Sequence, residues 1–485
     1  MRTRWVILTA AVVIACIVGL FTVIHVSSPL REVRALKQRT YIIIEYKPFF
    51  PSYGTSSEAV PLTAYWSNTS AIIEQEALWL SWAGVDAILI DWSPATMVQS
   101  ISQINWLYID HTTQLLEVYH EMDLAHLPHP KVIILVGIDN GPHRASAQVL
   151  KYILNWIYTH YVENPEFNSS LFYYDGKPVL VMLDGSFTNH TFRDPRFTIF
   201  FMGFHLENIM NAPPSKPYHG NPWCYWSWMD GVITPVVVYC NGSPLAVTVS
   251  TAFFPDIKPN DVGWTAPGAV GRENGATLIQ EWVIPMIYRP KFIIINDWNQ
   301  FSGECLHPTG PYLDQYSPEY SQDIEPTFLN STGCMGRWQG GWGYYYLVLL
   351  KALIMLYRGE TPNATIMAIA FPLNNYTIYV HQPTVVSTTN YIVLHGYTML
   401  VRWAYVGKAP SSFTVELDGR VIATNLTTTW YMLDLYGLPK GWHTIKVIAN
   451  GAVAYFNLTE AYYELVNASS KPLPCEAEVS FYYAG

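Results

Sequence analysis

Apolar residues in this chain fall into short unbroken runs separated by longer stretches with helical spacing. YIIIEY at 41–46, AILID at 87–91, KVIILVG at 131–137, the run at 178–183 and FIIIND at 292–297 are of the first kind. Such continuous runs suit strands buried on both faces. Residues 70–83, 101–122, 147–161, 277–288 and 344–357 are of the second kind, with Ser67 or Asn68 placed to cap the first helix. Further strand candidates lie at 197–204, 232–239 and 245–253. Alternation of strand and helix over 41–360 predicts an α/β fold with a parallel sheet. About eight strands over that length suit a closed (β/α)8 TIM-like barrel.

Beyond residue 363 the period changes to two, and turns such as Leu417-Asp418-Gly419 and Asn450-Gly451 replace helices. Residues 363–485 therefore read as an all-β immunoglobulin-like sandwich. The stretch Gly441-Trp442-His443-Thr444-Ile445 resembles the last hairpin of such modules on extracellular carbohydrate enzymes. A rigid spacer or cap is its expected role.

At the other end, Arg2 and Arg4 precede an apolar run over 5–24, about long enough to cross a bilayer as a helix. Residues 1–28 read as a transmembrane signal anchor, with a removed signal peptide as the alternative. Residues 29–40, with Arg31, Arg34, Lys37 and Arg39, form a basic stalk. Either reading exports the remainder.

Composition narrows the partners. The chain is 50% hydrophobic but only 13% charged, against roughly 25% in an average soluble protein. Its net charge is -10, with no basic cluster beyond the N-terminal region, which excludes nucleic acid as a partner. Glycosylation sequons occur at Asn68, Asn168, Asn189, Asn241, Asn330, Asn363, Asn375, Asn425, Asn457 and Asn467, an excess over chance. Attached sugar would wet a surface short of charge. An extracytoplasmic protein, tethered to the membrane by its first helix, is expected, and the composition suits an archaeal cell surface. In an oxidising compartment Cys224 and Cys240 should pair, as should Cys305 and Cys334, leaving Cys475 over. No histidine or cysteine spacing resembles a metal site, and no cofactor is expected.

In barrels, chemistry collects at the C-terminal ends of strands. Those ends carry Glu45, Asp91, Asp139, Asp184 and Asp297. Any single one could be a structural hydrogen-bond acceptor, but the set points to an acidic cleft. Cleavage of a glycosidic bond uses two carboxyl groups flanking it, or one with a substrate-assisted route. Trp92, Trp223, Trp226, Trp228 and Trp298 could supply stacking faces for sugar rings, or could simply fill core.

These residues carry a resemblance. Trp66-Ser67, the helix, Gly84-Val85-Asp86 and Ile90-Asp91-Trp92 are similar to the start of the barrel in glycoside hydrolase family 99, which comprises endo-acting α-mannosidases and mannanases. Gly271-Arg272, the helix around Trp282, and Ile295-Asn296-Asp297-Trp298-Asn299-Gln300-Phe301 resemble the segment leading to that family's W-N-E-W strand end. The Ile324-Glu325-Pro326 motif, within YSPEYSQDIEP at 316–326, is shared with uncharacterised secreted proteins of the same superfamily. The resemblance spans about 41–359 and implies a carbohydrate partner.

One departure matters. The family's catalytic Glu follows the Asn of W-N-E-W, where this chain has Gln300; its second Glu falls at Gly303, with Glu304 one further. A neutral amide cannot take up a proton as a carboxylate does. On a hydrolase reading Glu304 is the general acid, with Asp91, Glu45 or Asp297 as partner. Trp92, Trp298, Asn299, Gln300, Trp226, Trp228, Asp139 and Glu325 then bind substrate. The second reading, favoured by Gln300, is a catalytically silent glycan-binding or scaffold protein.

Overall fold

In the computed structural model the apolar runs become parallel strands. The structure describes residues 39–48, 59–63, 69–140, 143–203, 224–228, 234–253, 270–300, 318–333, 338–370, 376–379 and 391–485. The strands are β1 (Tyr41–Tyr46), β2 (Ala87–Asp91), β3 (Lys131–Asn140), β4 (Lys177–Asp184), β5 (Thr198–Gly203), β6 (Trp226–Ser227), β7 (Ser243–Ser250) and β8 (Phe292–Asn296). They pair in chain order, each parallel to the next, except at β6 and β7, and β8 returns to β1 with Tyr41 opposite Phe292. Among the described residues no ladder joins β6 to β7. Thr248 Oγ1 donates there to the Ser227 carbonyl instead, which nearly closes the barrel.

The expected strand at 232–239 is not a barrel strand. Val238–Cys240 pairs antiparallel with β7 as a hairpin arm, and residues 232 and 233 lie outside the described residues. The sixth place is taken by the two residues of β6, too short to announce itself as an apolar run. A Cys224–Cys240 disulfide ties the start of this segment to that hairpin arm. Cys305 and Cys334 lie outside the described residues, and Cys475 is a buried free thiol.

Among the described residues, five helices of more than ten residues flank the strands: α1 (Ser70–Ala83), α2 (Trp106–Leu124), α3 (Ala147–Ile157), α4 (Ala276–Tyr288) and α5 (Tyr345–Arg358). Thr69 stands at the N-cap of α1, while Ser67 and Asn68 lie outside the described residues. At the other end of α1, Gly84 closes the helix at φ +97°, where a Cβ would come within 2.9 Å of Arg358. Asn105 caps α2, its side chain accepting from the Leu107 amide. The α2 helix therefore starts five residues later than its periodicity predicts, because residues 101–103 form a separate 3-10 turn.

Alternation along the strands fills the barrel in layers. Tyr41, Tyr174, Phe200, Trp226 and Phe292 pack ring against ring, with Phe200 and Trp226 stacked at 4.7 Å. Two positions beyond an inward residue the chain faces inward again. Glu45 and Trp228 consequently sit nearer the C-terminal end of the barrel than Ile43 and Trp226.

The C-terminal strands form two sheets. One has three strands, in the order β9 (Thr365–Ala370), β12 (Thr398–Gly407) and β15 (Trp430–Asp434). The other has six: β10 (Tyr376–Tyr379), β11 (Tyr391–Leu394), β17 (Leu473–Tyr483), β16 (Gly441–Ala454), β13 (Ser412–Leu417) and β14 (Arg420–Leu426). A separate apolar core, including Val401, Trp403, Phe413, Val447 and Phe481, lies between them. Strand β9 serves both cores: Met367 and Ile369 point into the sandwich, and Ile366, Ala368 and Ala370 into the barrel's core. Residues Thr40–Gly485 form one compact unit.

Among the described residues no helix is long and apolar enough to cross a membrane. The apolar run at 5–24 lies outside them.

Candidate active site at the barrel mouth

Strand β1 ends in Glu45-Tyr46-Lys47, so its period of two puts Glu45 and Lys47 on the same inward face. Strand β2 brings Asp91 beside them. The Lys47 ammonium donates to Glu45 Oε1 and, at 2.8 Å, to Asp91 Oδ2, and lies 4.8 Å from the centre of the Trp228 ring. Trp228 Nε1 donates to the other Glu45 oxygen. The second Asp91 oxygen accepts from the Ser93 amide at 2.7 Å, which starts the turn after β2. All three charged side chains are buried, Glu45 completely.

Burial pushes the Glu45 carboxyl up, Lys47 pulls it back, and Asp91 pushes it up again, leaving it at about 7. For Lys47, burial opposes the charge, but Asp91, Glu45 and Asp297 outweigh it and hold the ammonium protonated. A carboxyl at about 7 beside a fixed cation can give or take a proton near neutral pH.

Asp297 follows β8 and is fully buried, with neither oxygen hydrogen-bonded among the described residues. Burial raises its pKa well above the usual range, and the adjacent Asp323 carboxylate raises it further. Both effects favour the protonated form of Asp297. Asp323 is itself held by the Gln300 amide at 2.6 Å and by Ser321. Arg272 grips this return segment through the carbonyls of Ser321 and Asp323 and stacks on Trp342 at 3.8 Å. The arrangement thus sets a carboxyl whose protonated form is favoured by burial near one poised to ionise around neutral pH, the kind of pair acid–base chemistry uses.

A second acidic cluster lies behind the first. Tyr46, facing away from Glu45, donates to Glu76 Oε2 at 2.6 Å, and burial lifts Glu76 to about 8. Glu325 accepts from Thr63 Oγ1, and burial followed by the charge of Glu76 holds it well above the carboxylate range. The backbone amides of Ile324 and Glu325 both donate to the Trp298 carbonyl, which locks the 322–325 segment onto the β8 end.

Several expected ligands of substrate take other places. Trp92 and Trp298 are fully buried; Trp92 donates to Thr112 Oγ1 at 2.8 Å and packs on Trp156 and Tyr161. Trp226 is the interior plug described above, so none of these three offers an open face. Trp228 alone of the four described candidates is partly exposed at the mouth. Asn299 is also buried and clamps Lys47, accepting from its amide at 2.8 Å and donating to its carbonyl. Gln300 is buried beside Asp323.

Asp139 is committed to Arg144 and Ser186, and Asp184 to the Asn189 amide at 2.7 Å and the Tyr225 hydroxyl. These two acids brace loops. Glu325 belongs to the rear cluster. Glu304 and Trp223 lie outside the described residues. Lys47, Glu76 and Asp323 were missed in the sequence, although Glu45-x-Lys47 on an inward strand face was a usable signal.

No family model matches the chain, and no curated protein matches it. Among solved structures it is similar to a GH99 endo-alpha-mannosidase from Bacteroides thetaiotaomicron, at 15% identity and TM-score 0.44, covering 66% of this chain and 98% of that one. An endo-beta-1,4-mannanase from Thermotoga petrophila superposes at 10% identity and TM-score 0.40, covering 93% and 99%. An FMN-binding beta-glucuronidase from Facaelibacterium prausnitzii follows at 9% and 0.39, covering 92% and 56%. The barrel itself is established by strand order and pairing.

Proposed function

We propose that this protein is an exported glycoside-hydrolase-like enzyme acting on extracellular polysaccharide or glycoprotein glycans. The observation that carries the proposal is the buried Glu45–Lys47–Asp91 cluster at the strand ends, with Trp228 on it and the buried Asp297 nearby. Asp297 is the candidate proton donor and Glu45 the candidate carboxylate, with Asp91 and Lys47 setting its charge. Trp228 is the candidate stacking face for a sugar ring. The similar structures named above, an endo-alpha-mannosidase and an endo-mannanase, support glycan as the substrate class and mannose polymers as the first to try.

Gln300, at the position of a family catalytic Glu, favours a second reading in which glycan binding persists without turnover. A panel of mannan, glucan and glycoprotein-glycan oligosaccharides separates the two when binding and release are measured side by side. Release by the wild type supports the enzyme. Binding without release, together with release gained by Gln300→Glu, supports the silent binder.

Export rests on the apolar run at 5–24 and on the sequons. Asn241, Asn330, Asn363, Asn425, Asn457 and Asn467 are all exposed and open to modification. Native protein should pellet with membranes and lose mass on deglycosylation. Soluble native material at the bare-chain mass of 55.1 kDa would refute this.

A further inference from the structure

Beside the barrel mouth a cavity of about 470 Å³ opens between α3 and the segment after β4. Four cations line it, Arg144, Lys151, Arg193 and Arg196, against the single carboxylate Asp194. The chain as a whole carries a net charge of -10, so this positive lining runs against its overall balance. Two of the four are braced: Arg144 on Asp139 at 2.8 Å and Arg196 on both Asp194 oxygens. Arg193 instead spends one nitrogen on the carbonyls of His190 and Phe192, which are neutral. Lys151 stands on the exposed side of α3, with no ion pair among the described residues.

The cavity also receives the start of α3, where Ala145 and Ala147 line it and Ser146 caps the helix by accepting from the Val149 amide. The partial positive charge of a helix N-terminus adds to that of the side chains. Phe192 and Leu154 supply an apolar wall. Arginine forks and a helix N-terminus beside an apolar wall match a sugar ring carrying an anionic group.

The location matters as much as the charge. Arg144 follows β3 and Asn189 follows β4, at the barrel end that carries Glu45 and Asp91. Strand β3 lies two places from β1, about 10 Å round the rim at the usual strand spacing. A chain of sugars crossing the mouth could reach both.

We infer that this cavity is a subsite for an acidic sugar, one bearing a carboxylate, sulfate or phosphate group, on the glycan that the barrel acts on. The inference rests on the glycan reading above and narrows its substrate class to anionic polysaccharide.

The test uses unglycosylated recombinant protein and three probes: a neutral manno-oligosaccharide, a uronic-acid oligosaccharide of equal length, and inorganic sulfate. Wild type should bind the uronic-acid probe about tenfold more tightly than the neutral one, and added salt should shrink the difference. The double variant Lys151→Ala/Arg193→Ala, checked for an unchanged melting temperature, should lose that preference and retain neutral-sugar affinity. If it proves unstable, Lys151→Ala alone should lower the preference several-fold. A sulfated oligosaccharide in place of the uronate distinguishes the anion. Equal affinity for neutral and acidic sugars, or equal loss of both in the variant, overturns the subsite. Sulfate binding that is lost in the variant while no oligosaccharide binds leaves an anion site standing and overturns the glycan reading.

Discussion

Lys47 holds the mouth together at the scale of single residues. Removing one partner of a buried ion pair leaves an uncompensated charge, at a cost of about 3–5 kcal/mol. Lys47→Met should therefore lower the melting temperature strongly and abolish any turnover, because Glu45 and Asp91 would face one another without their shared cation. A circular-dichroism melt checks the first expectation and an activity assay the second. The rear cluster makes a separate prediction about pH. Glu76 and Glu45 titrate at about 8 and about 7 in the fold, above the 4.5 expected unfolded. Between those values the folded chain holds protons that the unfolded chain has released, so the contribution of these two groups to stability is full below pH 4.5 and is lost as pH rises through 7 to 8. Glu76→Gln keeps an acceptor for Tyr46 but removes one ionisation. Its melting temperature should fall less steeply between pH 5 and 8 than that of the wild type, and parallel slopes would contradict the assignment.

At the scale of elements, the seam between β6 and β7 is the barrel's weak place, bridged by Thr248 and by the Cys224–Cys240 disulfide. Closing a loop of this length stabilises a fold by roughly 3 kcal/mol in the chain-entropy picture. Cys240→Ser should lower the denaturation midpoint accordingly, with the same loss on reduction of the wild type. The strands on either side were legible in the sequence because their apolar runs are continuous: YIIIEY, AILID and FIIIN become β1, β2 and β8 almost to the residue. β6 was not legible, since two residues between tryptophans carry no period. The same limit applied to the site. Glu45, Asp91 and Asp297 announced themselves as acids at strand ends. The burial of Trp92 and Trp226 depends on which way each ring faces, and Tyr161 and Phe200, which they pack against, are distant in sequence. Asp323 lies some two dozen residues beyond Asp297 along the chain, a separation that no local pattern encodes.

For the whole molecule, the telling element is β9, whose alternate residues belong to the barrel core and the sandwich core. Arg402 of β12 also reaches Glu273 at 4.0 Å, just ahead of α4. A chain ended at residue 360 would bare the apolar surface that Ile366, Ala368 and Ala370 cover, so it should be recovered as aggregate. The full chain should melt in a single calorimetric transition. Two well-separated transitions would mean that barrel and sandwich fold independently.

The central claim is that the mouth carboxylates perform chemistry on a glycan, and the direct measurement compares product release by wild type and Glu45→Gln on the best-bound oligosaccharide. Loss of a general acid or base typically slows turnover by 10²- to 10⁴-fold while ground-state binding survives. Glu45→Gln should lose turnover by that factor at unchanged affinity, and the wild type should show an acid limb near pH 7 set by the ionisation of Glu45. Undiminished release by Glu45→Gln would contradict the central claim.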